Sequence, residues 1–574
     1  MSLYITTYSA SMSSSAQRRT AFGGAGTLNE RDKDRRFDAP SDGLDPKDAL
    51  FSFHRWSKKK FEGSSGPNSW DSQFVPRQKC ALRLEASKRP RGSENATMPM
   101  PTYPELQLFI AGEWRRADGQ PVLNPADESV LATVPHATRA DLDAALTAAQ
   151  DGLRVWRQTS PAKRADIILK AARLARERIE EMAIAMTLEQ GKPIAQSRLE
   201  ILRGCDIIEW DAAEGRRVYG RVIPSEPGMR HTVLRQPIGV VAAFSPWNFP
   251  MSSPARKVAG ALSAGCAIIL KASEETPAGA VQLVRAFQDA GVPPGVLNLV
   301  FGTPSEISEY LIPQPAVRLV TFTGSIPVGK RLAALAGQHM KPAIMELGGH
   351  APVIVCDDVD PAASAATSVI GKTRNAGQVC VSPTRFYVQE AIYEKFTDAF
   401  AAKAREVKVG DGLDPANQMG PLANYRRIET MEAMVADATA KGARLLAGGS
   451  RIGNRGYFYP LTVLADVPDD ARAMREEPFG PLALINAVGS LDEAIEKANA
   501  LPYGLAAYAF TRSARNVDRL AEGIEAGNLS INHFVASIAE TPFGGVKESG
   551  YGREGGTEGL ECYTVAKNVS HLVM

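Results

Sequence analysis

The sequence predicts an α/β protein built on parallel sheets, and three observations carry that expectation. Short apolar runs, "IGVVAAF" (238–244), "CAIILKAS" (266–273), "VLNLVFG" (296–302) and "RLVTFTG" (318–324), have the length and content of buried strands. Between the first three lie "SSPARKVAGALSAG" and "TPAGAVQLVRAFQDAG", helical patterns opened by Ser or Thr and closed by glycine. Strands alternating with helices imply right-handed crossovers within a parallel sheet. The composition fits a folded chain, with 44% apolar and 23% charged residues.

Taken in order, residues 1–97 read unlike the rest. "SASMSSSAQRR", "NERDKDRRFDAPSDG" and "SKRPRGSENAT" mix Ser, Gly, Pro and both charges without hydrophobic periodicity. Such a leader buries too little apolar surface to offset chain entropy, so disorder is expected. Its Asp and Glu argue against a transit peptide. Met98 and Met100 precede the first ordered-looking stretch, which favours an artificially early start. Ser160–Pro161 then reads as an N-cap and first helical residue. Ala165, Ile168, Ala172, Ala175, Ile179, Met182 and Met186 continue one amphipathic face until Gly191. The segment 219–237, rich in β-branched and turn residues, predicts an exposed hairpin. A second α/β region follows "MELGGHAPVIV", with "ARLLAGG", "FGPLALINAV" and "AAYAFTR" as strands, and "YTVAKNVSHLVM" is an extended tail. Exposed edges of this kind usually pair with another subunit.

A net charge of +2 over 574 residues gives no support to a nucleic-acid partner. No apolar run is long enough to span a bilayer, so a soluble protein is expected. Six dispersed cysteines, with no CxxC and no Cys/His cluster, argue against a disulfide scaffold or structural zinc. Without a secretory signal, a reducing cytoplasm is the expected location.

"RNAGQVC" ends in Cys380, which could be a core thiol, half of a disulfide, a metal ligand or a nucleophile. As a nucleophile it needs activation, because an ordinary thiol is mostly protonated at neutral pH. Glu346 in "MELGGH", set between apolar residues and glycines, suits proton transfer, and Asn248 in "PWNFP" could donate to an oxyanion. Gly324, Ser325 and Gly329 mark a strand-to-helix junction where backbone N–H groups could meet a phosphate. Lys271 and Glu274 sit beyond the carboxyl end of a strand, where parallel sheets bind ligands, or else in a solvated loop.

"SPWNFP", "FTGSIPVG", "MELGGH", "NAGQVC", "EEPFGP" and "PFGGVKESGYGRE" together resemble the NAD(P)-dependent aldehyde dehydrogenases in order and separation, from about Leu106 onward. The resemblance implies the aldehyde dehydrogenase fold. Its parts would be a Rossmann-like cofactor domain (98–218 and 238–348), an α/β catalytic domain (349–545), and an oligomerisation arm with the C-terminal tail (219–237 and 546–574). It makes Cys380 the nucleophile, with Asn248 and the Cys380 N–H as oxyanion donors and Glu346 as the base that hydrolyses a thioester. Trp247, Lys271, Ser273, Glu274, Gly324, Ser325, Gly329, Glu477 and Phe479 would then hold the cofactor, and Glu554 would lie on a proton path. No metal is implied. Glu274 favours NAD over NADP, because a carboxylate repels a 2′-phosphate, although Lys271 beside it softens the choice.

Arg256 and Arg374, with Ser537, match the positions that bind the distal carboxylate in the family's succinate-semialdehyde dehydrogenases, most like this chain together with the 2-oxoglutarate-semialdehyde (2,5-dioxovalerate) branch. Otherwise Arg256 would face solvent and Arg374 would cap a helix. A general aldehyde dehydrogenase is a further alternative. A non-catalytic carrier of the fold predicts loss of Cys380, Glu346 or Asn248, and all are present. The expected assembly is a homodimer or homotetramer.

Overall fold

A computed structural model describes residues 103–574, so the expected disorder of residues 1–97 lies outside the described part. Buried apolar side chains form two cores. One draws on residues 106–347 with Tyr563, the other on residues 351–543. Each wraps a largely parallel sheet.

The first sheet has eight strands. Its parallel centre runs Leu297–Val300, Ala267–Lys271, Val240–Phe244, Val317–Gly324 and Ala343–Leu347. In chain order these five are arranged 3-2-1-4-5, a doubly wound order whose direction reverses between Val240–Phe244 and Val317–Gly324. The short pair Leu108–Ile110 and Glu113–Arg115 closes one edge antiparallel. Gly550–Tyr551 closes the other, with Gly550 opposite Glu346. The C-terminal segment thus contributes to this sheet as well as to the tail. The second sheet has seven strands, with Pro383–Gln389, Ala351–Val355 and Leu482–Val488 at its centre.

Two expectations need correction. The periodic run after Ser160 is not one helix. It breaks at Arg178 into Pro161–Glu177 and Ile179–Gln190, and only the first is capped by the Ser160 side chain. The apolar spacing continues across the break because both pieces pack on the same core.

Nor do Ser and Thr cap the two crossover helices, Ser252–Ala264 and Pro277–Ala290. Buried carboxylates from elsewhere do so. Glu200 accepts from Met251 and Ser252 N–H, and Glu189 from Ala278 and Gly279 N–H. Each carboxyl group takes two N–H groups of the helix N-terminus, where a Ser or Thr hydroxyl would take one.

The hairpin forms as expected. Arg221–Ile223 pairs with Met229–Pro237, which pairs along its length with Thr564–Leu572. Val222, Leu234 and Leu572 on this arm are exposed. Among the described residues, no helix is long and apolar enough to cross a membrane, and all five cysteines are free thiols.

Candidate active site

Parallel strands end together, so the loops beyond their carboxyl ends converge. Ser245–Phe249 leaves Val240–Phe244, Ala272–Glu275 leaves Ala267–Lys271, and Ser325 leaves Val317–Gly324. From the second sheet, the turn before Pro383–Gln389 carries Cys380. One cavity of about 1710 Å³ runs between them. Every sequence-predicted site residue except Gly329 lines it. Gly329 lies within the helix Ile326–Gln338, where an added Cβ would fall 2.3 Å from Leu347 Cδ2. Its glycine serves close packing of helix on strand.

The Cys380 turn is unusual in its backbone. Asn375, Ala376 and Gly377 all have positive φ, and for alanine this costs on the order of 1–2 kcal/mol. Gln378 holds the turn by donating to Asn375 O while accepting from Ala423 N–H. Cys380 therefore projects into the cavity from a loop with little freedom, and its side chain meets Glu346. Burial, then the Glu346 carboxylate, push the thiol well above its ordinary range, and Glu477 adds to this while Arg374 opposes it. Burial, then Glu554, raise Glu346 to about 7, against Lys257 and the Cys380 hydrogen bond. One Glu346 oxygen is buried without a partner. The pair therefore has one acidic proton to share and a carboxyl group able to take it near neutrality.

Asn248 sits beside this pair, its amide Nδ2 donating to Gln378 O at 3.1 Å. Its own carbonyl is held from two directions, by Lys192 Nζ at 2.8 Å and Asn375 Nδ2 at 3.0 Å. Lys192 is buried and paired with Glu200, the same carboxylate that caps the following helix. Lys192, Glu200, Asn375 and Gln378 thus fix the Asn248 loop, and none was singled out from sequence. The signal was present. Lys192 lies in "GKP" after an apolar helix, and Glu200 shares a helix face with buried Ser197, Ile201 and Gly204.

At the other end, Lys271 and Glu274 are buried rather than solvated. They pair at 2.7 Å, and Glu274 also accepts from Gly302 N–H. Ser325 is the N-cap residue of Ile326–Gln338, yet its side chain makes no cap hydrogen bond, so hydroxyl and helix terminus both face the cavity. Trp247 and Phe479 meet edge-on, with ring centroids 5.5 Å apart. Glu477 accepts from Gly349 N–H, and a Cβ on Gly348 would lie 2.3 Å from its Oε2. A cavity with a free N-cap hydroxyl, a helix N-terminus and a buried carboxylate fits a dinucleotide's phosphates and ribose.

The arginines occupy the third side. Arg256 donates to Ser537 Oγ at 3.0 Å, and its Nη1 is buried without a partner. Arg374 stands at the end of the helix Pro361–Thr373, but its guanidinium does not cap that helix. It lies over the Phe249 ring, 5.3 Å from the centroid, and makes no hydrogen bond or ion pair among the described residues.

The aldehyde dehydrogenase family profile matches residues 114–569. The 4-(hydroxymethyl)benzenesulfonate dehydrogenase TsaD1 of Comamonas testosteroni is 47% identical over 81% of this chain and 98% of its own. The 3-sulfolactaldehyde dehydrogenase of Pseudomonas putida is 40% identical over 82% and 97%. The crystal structure of succinate-semialdehyde dehydrogenase from Burkholderia pseudomallei superposes with a TM-score of 0.81 at 40% identity, covering 83% of this chain and all (100%) of that one. Fold and similarity agree with the cavity's chemistry: the chain belongs to the aldehyde dehydrogenase family, whose members use NAD or NADP.

Proposed function

We propose that this enzyme oxidises an aldehyde carrying a distal oxyanion to the carboxylic acid, with succinate semialdehyde as the reference substrate and NAD as cofactor. The observation that carries the chemistry is the Cys380 thiol facing a Glu346 carboxyl raised to about 7. Glu346 takes the thiol proton and the Cys380 thiolate adds to the aldehyde carbon. The Asn248 amide and the Cys380 N–H stabilise the resulting oxyanion. Bound NAD supplies the hydride acceptor. The product on the enzyme is a thioester at Cys380. Water then attacks the thioester and releases acid and thiol, with Glu346 as the base once it has shed the thiol proton. Lys257 and Glu554, paired at 2.7 Å behind Glu346, offer that proton an onward path.

Lys271, Ser273 and Glu274 hold the adenosine ribose, Ser325 and Gly324 the pyrophosphate, and Glu477, Trp247 and Phe479 the nicotinamide side. Glu274, buried and paired with Lys271, favours a 2′-hydroxyl. The first core then acts as the cofactor domain and the second as the catalytic domain. The exposed apolar arm pairs with further copies of the chain, and free thiols suit a reducing cytoplasm.

Arg374 and Arg256 with Ser537 bind the distal oxyanion. A 2-oxoglutarate-semialdehyde substrate uses the same clamp. The similarity to TsaD1 favours a second reading, a sulfonated aromatic aldehyde. The test is absorbance at 340 nm with NAD and each aldehyde. Cys380→Ala is expected to abolish the signal, and surviving turnover would overturn the nucleophile.

A further inference from the structure

The helix Ile194–Glu214 turns one face to the cavity, through Gln196, Leu199, Arg203 and Ile207 at spacings of three and four. This face is docked onto the Arg374 turn, because Asn375 N–H donates to Gln196 Oε1 at 2.8 Å. Arg203 lies two turns further along from Gln196, about 10 Å by helical rise. Arg203 and Arg374 both line the cavity, and burial, then the Arg203 charge, pull the Arg374 guanidinium below its ordinary value. Among the described residues neither has an ion-pair partner. Asp206 acts on Arg203 by its charge, but its ion pair is with Arg176 at 2.5 Å. Asp211 near Arg256 does not neutralise the site either, since burial raises it to about 8. Two guanidiniums that line one cavity, with Asp206 and Glu200 nearby but neither in an ion pair with them, form a site that an anion would complete.

A carboxylate offers two oxygens, and Arg374 with the Arg256–Ser537 pair already matches them. Arg203 adds donors that a carboxylate leaves unused and a third oxygen would accept. Leu199, Ile207, Ile370 and Val535 line the same region and suit an apolar body between aldehyde and anion. We infer that Arg203 is a specificity-determining residue, the third arm of the oxyanion clamp, which fits the site to a three-oxygen sulfonate better than to a carboxylate. This rests on the clamp assigned to Arg374 and Arg256 above.

The experiment compares kcat/KM for 4-sulfobenzaldehyde, 4-formylbenzoate and benzaldehyde, with NAD, in wild type, Arg203→Gln, Arg203→Lys and Arg374→Gln. Arg203→Gln is expected to lower the sulfonate value about tenfold, chiefly through KM, the carboxylate value by less than about threefold, and benzaldehyde not at all. Arg203→Lys should recover part of the loss. Equal losses on both anions, or on all three aldehydes, overturn the inference. If Arg203→Gln is silent while Arg374→Gln loses anion preference, the inference falls and the clamp stands. If both are silent, the clamp itself is wrong.

Discussion

Two sets of cations surround the cavity, buried lysines and half-buried arginines, and they are treated differently. Lys192, Lys257 and Lys271 each have a glutamate partner, Glu200, Glu554 and Glu274. Arg256, Arg374 and Arg203 have no such partner among the described residues. Each lysine charge is balanced by its glutamate before any ligand arrives. The arginines are left for something that arrives. Residue type follows from this. Lys372, buried nearby, is pulled down to about 7 by burial, whereas a guanidinium keeps its charge in such a place. Only arginine can wait uncompensated and still be cationic.

The contrast can be broken by experiment. Lys192→Met strands Glu200 in the interior, and stability should fall by about 3–5 kcal/mol. A denaturation midpoint equal to wild type would show that the pair is not structural. Asn248→Ala removes the amide that Lys192 positions, and kcat should drop about 10²–10³-fold. A smaller loss, measured at saturating aldehyde, would move oxyanion stabilisation to other donors. Arg374→Gln should leave the midpoint unchanged or raise it while erasing about tenfold of preference for anionic over neutral aldehydes, or about 1.4 kcal/mol. A destabilised Arg374→Gln would place that arginine with the lysines.

The smallest effect is in pH. Glu346 must be deprotonated to accept the thiol proton, and its pKa is raised to about 7. Activity should therefore rise through about pH 7 and be lost below it. Glu346→Gln should remove that limb from the kcat/KM profile.

Much of this site is legible in the sequence because its chemistry travels in short motifs. Cys380, Glu346 and Asn248 each sit in a distinctive local string, and the strand–helix alternation brings their loops to one end of the sheets. What escapes is contact between distant segments. Glu200 lies 51 residues before the Met251 N–H it caps, and Gln196 lies 179 residues before Asn375. Local spacing carries no trace of such pairs. Gly329 fails for the opposite reason, since a glycine beside a strand end serves close packing as well as ligand approach. At Arg178 the hydrophobic period runs on while the backbone leaves the helical dihedrals (φ −98°, ψ 14°), because packing sets the period and backbone geometry sets the break.

The strand carrying Glu346 is completed by Gly550–Tyr551, while Leu347 N–H donates to Ser549 O and Ser549 Oγ donates to Gly348 O. Ser549 lies 201 residues after the Gly348 it supports. The other strands of the first sheet come from residues 108–347, so Glu346 gains its outer neighbour only after residues 549–551 have been made. A chain that stops short of Ser549 thus lacks the strand that borders Glu346, and the Cys380 thiol would meet a carboxyl group not yet held in place.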